Sequence, residues 1–102
     1  MKKFTFKTEK PTGRYASFES PDYLIKYDGK VVGNFDTDYL ETEFKVSLMV
    51  FKKINTPDDN PNCPWTWIRL KPTFKTLKEA QTFLNLEDTR NAIFNHYKLY
   101  MD

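Results

Sequence analysis

The chain contains one cysteine, one histidine and three glycines among 102 residues. The single thiol, Cys63, excludes an internal disulfide, and a domain without disulfides is ordinary in a reducing compartment. Apolar runs are short, and the stretch 46–51 falls far below the ~20 residues that a membrane-spanning helix needs. Residues 4–10 alternate and carry charge where a signal peptide would have its hydrophobic region. We therefore expect a cytoplasmic protein without a membrane anchor.

Catalytic signatures are also missing from the sequence. It has no Gly-rich phosphate loop, no pair of cysteines with zinc spacing and no serine nucleophile motif. Cys63 and His96 would form a nucleophile and base only if the fold joined them, and both fall in polar surroundings. The sequence therefore predicts a protein that is not an enzyme and needs no cofactor.

Aromatic residues, by contrast, are abundant, with nine Phe, six Tyr and two Trp. Hydrophobic residues make up 39% of the chain and charged residues 29%, which is a composition typical of a globular protein. A chain of this length builds one core, so we predict a single domain over residues 1–102.

Alternating polar and apolar residues predict strands over much of the chain. The clearest signal is Asp28-Gly29 between two β-rich runs, because this dipeptide favours the type I′ turn of a tight hairpin. Three prolines within residues 55–64 predict a loop, and Pro72 is expected to stop the last strand. The predicted strands are 2–8, 14–19, 23–27, 30–35, 44–53 and 65–71.

After Pro72, the apolar residues recur with the spacing of a helix. Thr76 and Glu79 fit a capping box at a helix start. A second apolar stripe is predicted to continue as helix to the C-terminus through Ile93, Tyr97 and Tyr100. Asn85 could begin a new helix, so we predict two helices rather than one. The predicted fold is α+β, an antiparallel β-meander of about five strands with one or two C-terminal helices packed on one face.

Such an architecture leaves the other sheet face open to solvent. If Ile68 and Leu70 point towards the helices, alternation sends the tryptophans and cations of the last strand to the open face. Aromatic and basic residues suit either a protein partner or stacked nucleic-acid bases. In the competing interpretation, the tryptophans belong to the core and the loop covers them. The predicted partner-binding residues here are Trp65, Trp67, Arg69, Lys71, Met49 and Phe51.

Charge is unevenly distributed although the net value is only +2. Residues 44–78 hold seven basic and two acidic side chains, whereas residues 19–43 hold two basic and seven acidic ones. The acidic segment could imitate a phosphate backbone towards a DNA-handling enzyme, or it could be a solvated loop. It lacks the spacing and glycine of a calcium loop, so no metal site is predicted. The acidic candidates for partner binding are Asp36, Asp38, Glu41 and Glu43.

These observations favour a small non-catalytic protein-binding module. Thirteen Lys against three Arg hint at an AT-rich genome, which suggests an inhibitor or accessory protein from a phage or mobile element acting on a host DNA-handling or defence protein. The alternative is a single-stranded nucleic-acid-binding protein that uses the aromatic and basic sheet face. A homodimer that buries the same face is a further interpretation.

Overall fold

The computed structural model describes residues 2–10, 21–38, 40–52 and 63–101. The described strands form one antiparallel sheet in chain order, and two helices pack against it, which confirms the predicted α+β meander. The predicted strand at 14–19 and residues 55–62 of the predicted loop lie outside the described residues. The elements are β1 (Thr5–Glu9), β2 (Asp22–Tyr27), β3 (Lys30–Thr37), β4 (Phe44–Phe51), β5 (Trp65–Phe74), α1 (Leu77–Leu84) and α2 (Glu87–His96).

The turn between β2 and β3 has the conformation that its sequence predicts. Asp28 and Gly29 both have positive φ angles, 53° and 80°, as a type I′ turn requires. The ammonium group of Lys2 lies 2.6 Å from Asp28 Oδ1. This contact links the N-terminal segment to the hairpin. Its hydrogen bond and charge attraction raise the pKa of Lys2 and lower the pKa of Asp28.

The core forms on one side of the sheet because alternation in β4 sends four apolar side chains to the same face. Phe44, Val46, Leu48 and Val50 are at most 5% exposed. Ala80 and Leu84 of α1 cover them together with Ile93 of α2. Burying each large apolar side chain contributes about 1.5–3 kcal/mol, so this layer dominates the stability of the fold.

Gly33 of β3 pairs with Leu48 of β4 and lies close to the β4 backbone. A Cβ atom at Gly33 would overlap the carbonyl oxygen of Ser47 and lie 3.0 Å from Leu48 Cδ2. Only glycine therefore fits this position without a shift of the backbone.

We expect Gly33→Ala to lower the free energy of unfolding by about 3 kcal/mol, because the added methyl group meets backbone that cannot rotate away. Gly29→Ala is the matched control, since no atom lies within 4 Å of its added Cβ. Its cost comes from the left-handed backbone alone, about 1–2 kcal/mol. Urea unfolding of both variants measures the difference, and equal costs would contradict the steric explanation.

Asn85 has a different role from the predicted one. It does not begin the second helix, because the N-terminal cap position of α2 is Leu86, which makes no side-chain capping bond. Asn85 instead ends α1, and its side chain bonds both backbone groups of Phe4. The Phe4 N–H donates to Asn85 Oδ1 at 2.8 Å, and Asn85 Nδ2 donates to the Phe4 carbonyl at 3.0 Å. The other predicted cap is present, since Glu79 N–H donates to Thr76 Oγ1 at 3.1 Å.

Asn85→Ala should destabilise the protein by about 2 kcal/mol, because two hydrogen bonds of about 1 kcal/mol each are lost next to the buried ring of Phe4. Hydrogen exchange at the Phe4 amide should accelerate as well. Asn91→Ala, at an exposed position of α2, is the control and should change stability by less than about 0.5 kcal/mol. An Asn85→Ala variant as stable as the Asn91 variant would contradict this role.

The last strand does not stop at Pro72, contrary to the sequence-based expectation. β5 runs on to Phe74 because Pro72 lies in a bulge: Arg69 pairs with Ser47 and Thr73 with Lys45, so residues 70–72 face Val46. β5 is also an edge strand, where a residue without an N–H can be accommodated.

The C-terminal segment is extended rather than helical, which corrects the predicted continuation of the helix. α2 ends at His96, and Tyr97 has φ −135° and ψ 149°. Leu99 then forms an antiparallel bridge with Val50 and is 5% exposed. Burial of Leu99 against β4 therefore outweighs continuation of the helix. Within the described ranges, neither helix has the length and apolar character needed to cross a membrane.

Candidate functional site

An aromatic strip lies on the open face of the sheet, at the end formed by the last residues of β4, the first residues of β5 and the C-terminal segment. Cross-strand pairing places Phe51 opposite Trp65 and Met49 opposite Trp67. The strip therefore consists of Phe51, Trp65, Trp67 and Tyr100, with Met49 beside them.

The four rings contact one another in a continuous series. Trp65 meets Trp67 edge to face, with centroids 5.6 Å apart, and stacks on Tyr100 at 5.9 Å with an interplanar angle of 23°. Phe51 meets Tyr100 edge to face at 5.2 Å, and Lys98 Nζ lies 5.1 Å from the centre of the Phe51 ring. Such ring pairs stabilise one another beyond their buried area, so the strip is a preformed surface.

Exposure differs within the strip. Trp67 is 50% exposed and Phe51 is 39% exposed, whereas Trp65 and Tyr100 are half-buried. Ile68 and Leu70 pack against the core on the other side of β5, as alternation predicts. The two most exposed aromatic rings are therefore on the face that the sequence places away from the helices.

Tyr100 belongs to the strip, although its spacing from Ile93 and Tyr97 predicts that it lies on a helix. Residues 97–100 nevertheless alternate in the way that is typical of a strand. Tyr97 and Leu99 pack with the core, whereas Lys98 and Tyr100 contact Phe51 on the open face. A period of two rather than 3.6 in this segment identifies Tyr100.

Arg69 and Asp36 form the polar part of the open face. Arg69 Nη2 donates to Asp36 Oδ2 at 3.1 Å. The hydroxyl of Ser47 donates to the same oxygen, and Asn34 Nδ2 donates to Oδ1 at 3.4 Å. A depression of about 390 Å³ next to Trp67 is lined by this network. The guanidinium group is therefore ion-paired with Asp36, while 58% of the Arg69 side chain stays exposed.

Lys71 is exposed, but it lies in the β5 bulge and has no partner residue in β4. The strand register thus joins Trp65, Trp67, Arg69, Met49 and Phe51 on adjacent positions of one surface. Lys71 lies outside this regularly paired part of β4 and β5.

Three of the four acidic candidates line a second depression, and only Glu41 is outside its lining. Asp36 belongs to the open face, whereas Asp38 and Glu41 hold the connection between β3 and β4. Tyr23 donates its hydroxyl to Glu41 Oε1 at 2.6 Å, which raises the pKa of Tyr23. This second depression is lined by both carboxylates and cations, namely Asp36, Asp38, Glu43, Lys45 and Arg69. Among the described residues, no group of His, Cys, Asp or Glu is arranged to hold a metal ion.

Asp38 organises the turn before β4. It accepts hydrogen bonds from the hydroxyl of Thr42, from the Thr42 N–H at 2.6 Å and from the Glu43 N–H at 3.4 Å. The Thr42 hydroxyl first, and then these backbone groups, lower the pKa of Asp38 below its ordinary value of 3.8.

Because the pKa of Asp38 is lowered on folding, its stabilising effect is complete above pH 3.8 and is lost as the pH falls through the folded-state pKa. Thr42→Val should raise the pKa of Asp38 towards its ordinary value. NMR titration of the carboxyl carbon measures this shift. Thr37→Val is the control, since the Thr37 hydroxyl donates to Asp38 Oδ1 over a longer distance of 3.5 Å, so its loss should raise the pKa of Asp38 less. An equal response to both substitutions would contradict the assignment.

Cys63 and His96 occupy separate positions in the fold. The Cys63 thiol donates to the carbonyl oxygen of Trp65 at 3.3 Å, before the ladder of β5. His96 is exposed in the last turn of α2, with its ring near Tyr97. In the part of the chain that the structure describes, no hydrogen bond joins the two side chains.

Comparisons with known proteins give no further information about this site. No protein-family model matches the chain, and searches of curated proteins and of solved structures found no match.

Proposed function

We propose that the protein is a small non-catalytic module that binds another protein through the aromatic strip. The observation that carries this proposal is the position of Trp67, half-exposed at one end of a preformed series of aromatic rings and beside the Asp36–Arg69 network. Tryptophan, methionine and arginine are typical anchors of protein interfaces, and rigid rings lose little conformational entropy on binding.

Two contacts favour a protein partner over single-stranded nucleic acid. Bases need open ring faces for stacking, but Trp65 already stacks on Tyr100 and contacts Trp67. The cation beside Trp67, Arg69, is paired with Asp36, which reduces its attraction for a phosphate at that ring. Nucleic-acid binding through the same strip is therefore the second candidate.

We further propose that the protein acts in the cytoplasm as an inhibitor or accessory protein of phage or mobile-element origin. Its partner would be a host protein that handles DNA or takes part in defence. The high ratio of Lys to Arg supports this origin, and the size and motif-free sequence support an adaptor or inhibitor rather than an enzyme. The acidic residues at the β3–β4 connection would lie at the border of the interface, close to Arg69 and Lys45.

Trp67→Ala should reduce recovery of the partner more than about tenfold, since a tryptophan that anchors an interface contributes about 2 kcal/mol or more to binding. The measurement is affinity capture by the tagged protein from bacterial lysate, with and without nuclease, read by quantitative mass spectrometry. Leu86→Ala is the control, because Leu86 is equally exposed, at 51%, but lies between the helices in sequence and outside the strip.

A stoichiometric protein that survives nuclease and depends on Trp67 would support the proposal. Partners that vanish with nuclease would favour the nucleic-acid candidate instead. Light scattering of the purified protein tests whether two copies bury the strip against each other. A stable dimer that is disrupted by Trp67→Ala would contradict binding of a different protein at this surface.

A further inference from the structure

A cleft opens at the end of the aromatic strip because β3 leaves β4 there. Pairing between these strands ends at Gly33 and Leu48. Ile25 pairs with Gly33 but Lys26 pairs with Val31, so an extra residue forms a bulge in β3. β3 therefore bends at the position where its ladder with β4 stops.

Beyond the end of the ladder with β3, the same edge of β4 pairs with the C-terminal segment. Val50 pairs with Thr66 of β5 on one side and with Leu99 on the other. Tyr100 N–H donates to the Met49 carbonyl at 2.9 Å, and Phe51 N–H donates to the Lys98 carbonyl at the same distance. The segment thus fixes the ring of Tyr100 at the bottom of the gap between β3 and β4.

The resulting cleft has a volume of about 450 Å³ and an unusual lining. Met49, Trp65 and Tyr100 supply apolar and aromatic surface. Lys26 and Lys30 line the cleft as well, and among the described residues no carboxylate lines it. Asp28 in the adjacent turn already contacts Lys2 at 2.6 Å. Lys30 also helps to lower the pKa of Asp28, so the cleft combines an apolar surface with two lysines and one nearby carboxylate that Lys2 shares, which leaves an excess of positive charge.

From this combination we infer that the cleft binds an acidic segment of the partner protein. An aliphatic or aromatic side chain of that segment would lie on Met49, Trp65 and Tyr100, with an adjacent carboxylate between Lys26 and Lys30. The inference rests on the proposed protein-binding function and adds the chemistry of the partner. Complementary charge at such a site favours association and excludes basic partners.

The favoured occupant is a peptide segment rather than an oligonucleotide because of the apolar lining. Val31 and Met49 match an aliphatic or aromatic side chain in shape and polarity. One side of Trp65 is occupied by Tyr100, so the cleft offers less ring surface for a base. An oligonucleotide remains a direct competitor in the test.

The test uses a random peptide library displayed against the immobilised full chain. Peptides with Asp or Glu beside an apolar residue should be enriched. A labelled selected peptide should bind the double variant Lys26→Glu/Lys30→Glu about tenfold more weakly, measured by fluorescence anisotropy, and rising salt should weaken binding to the wild type. The variant Lys26→Gln/Lys30→Gln should show a smaller loss in the same direction, which protects the test if charge reversal disturbs folding.

The matched control is Lys75→Glu/Lys78→Glu. It makes the same change in net charge at two exposed positions, one just before α1 and one in its first turn, away from the cleft. Affinity should change less than about threefold, because distant surface charges are screened. Circular dichroism of every variant verifies that it is folded.

Four results would overturn the inference: enrichment of peptides without acidic residues, equal affinity of wild type and both Lys26/Lys30 variants, no enrichment at all, or preferential binding of an oligo-dT of about 12 nucleotides. Peptides that require Trp67 but ignore both lysines would remove the acidic-segment inference and leave the proposed function intact. Failure of Trp67→Ala to reduce capture of any protein would instead remove the proposed function.

Discussion

Burial of one face of β4 is the interaction on which the rest of the structure depends. Four apolar side chains of this strand contribute to a core that the helices cover. The same alternation that buries them turns Met49 and Phe51 outward, so the core and the aromatic strip have a common origin. A shift of register by one residue would exchange the two faces, and the hydrophobic core opposes such a shift.

The shape of the open face comes from two departures from a regular sheet. The bulge in β3 and the end of its ladder with β4 open a gap, and the C-terminal segment enters that gap. The bulge in β5 absorbs Pro72 and lets the strand continue alongside the start of β4. The bulge in β3 lies next to the cleft at the end of the strip, and bulges commonly change the direction of a strand next to a binding surface.

Internal pairing decides which charges on the open face are available to a partner. Asp36 balances Arg69, and Asp38 is occupied by Thr42 and backbone N–H groups. Lys26 and Lys30, which did not stand out in the sequence, lie beside the aromatic rings in a cleft that no carboxylate of the described residues lines. Charge at this surface is therefore set by neighbours in space rather than by the acidic and basic segments of the chain.

Local patterns in the sequence determined much of the fold. Asp28-Gly29 specifies the hairpin because it favours positive φ angles, and Thr76 specifies the start of α1 through its cap. Alternation in β4 and β5 also identified Trp65, Trp67, Arg69, Met49 and Phe51 as one surface, since side chains in a strand point to opposite faces in turn.

Only the tertiary structure decided the remaining features. Pro72 and Asn85 looked like a stop and a cap because their local propensities say so, but an edge-strand bulge and the backbone of Phe4 supply other partners. Tyr100 joined the strip because burial of Leu99 against Val50 ended the helix. The pairing of Arg69 with Asp36 joins residues 33 positions apart. Such contacts depend on which elements pack together, and a local sequence pattern carries no information about partners that distant.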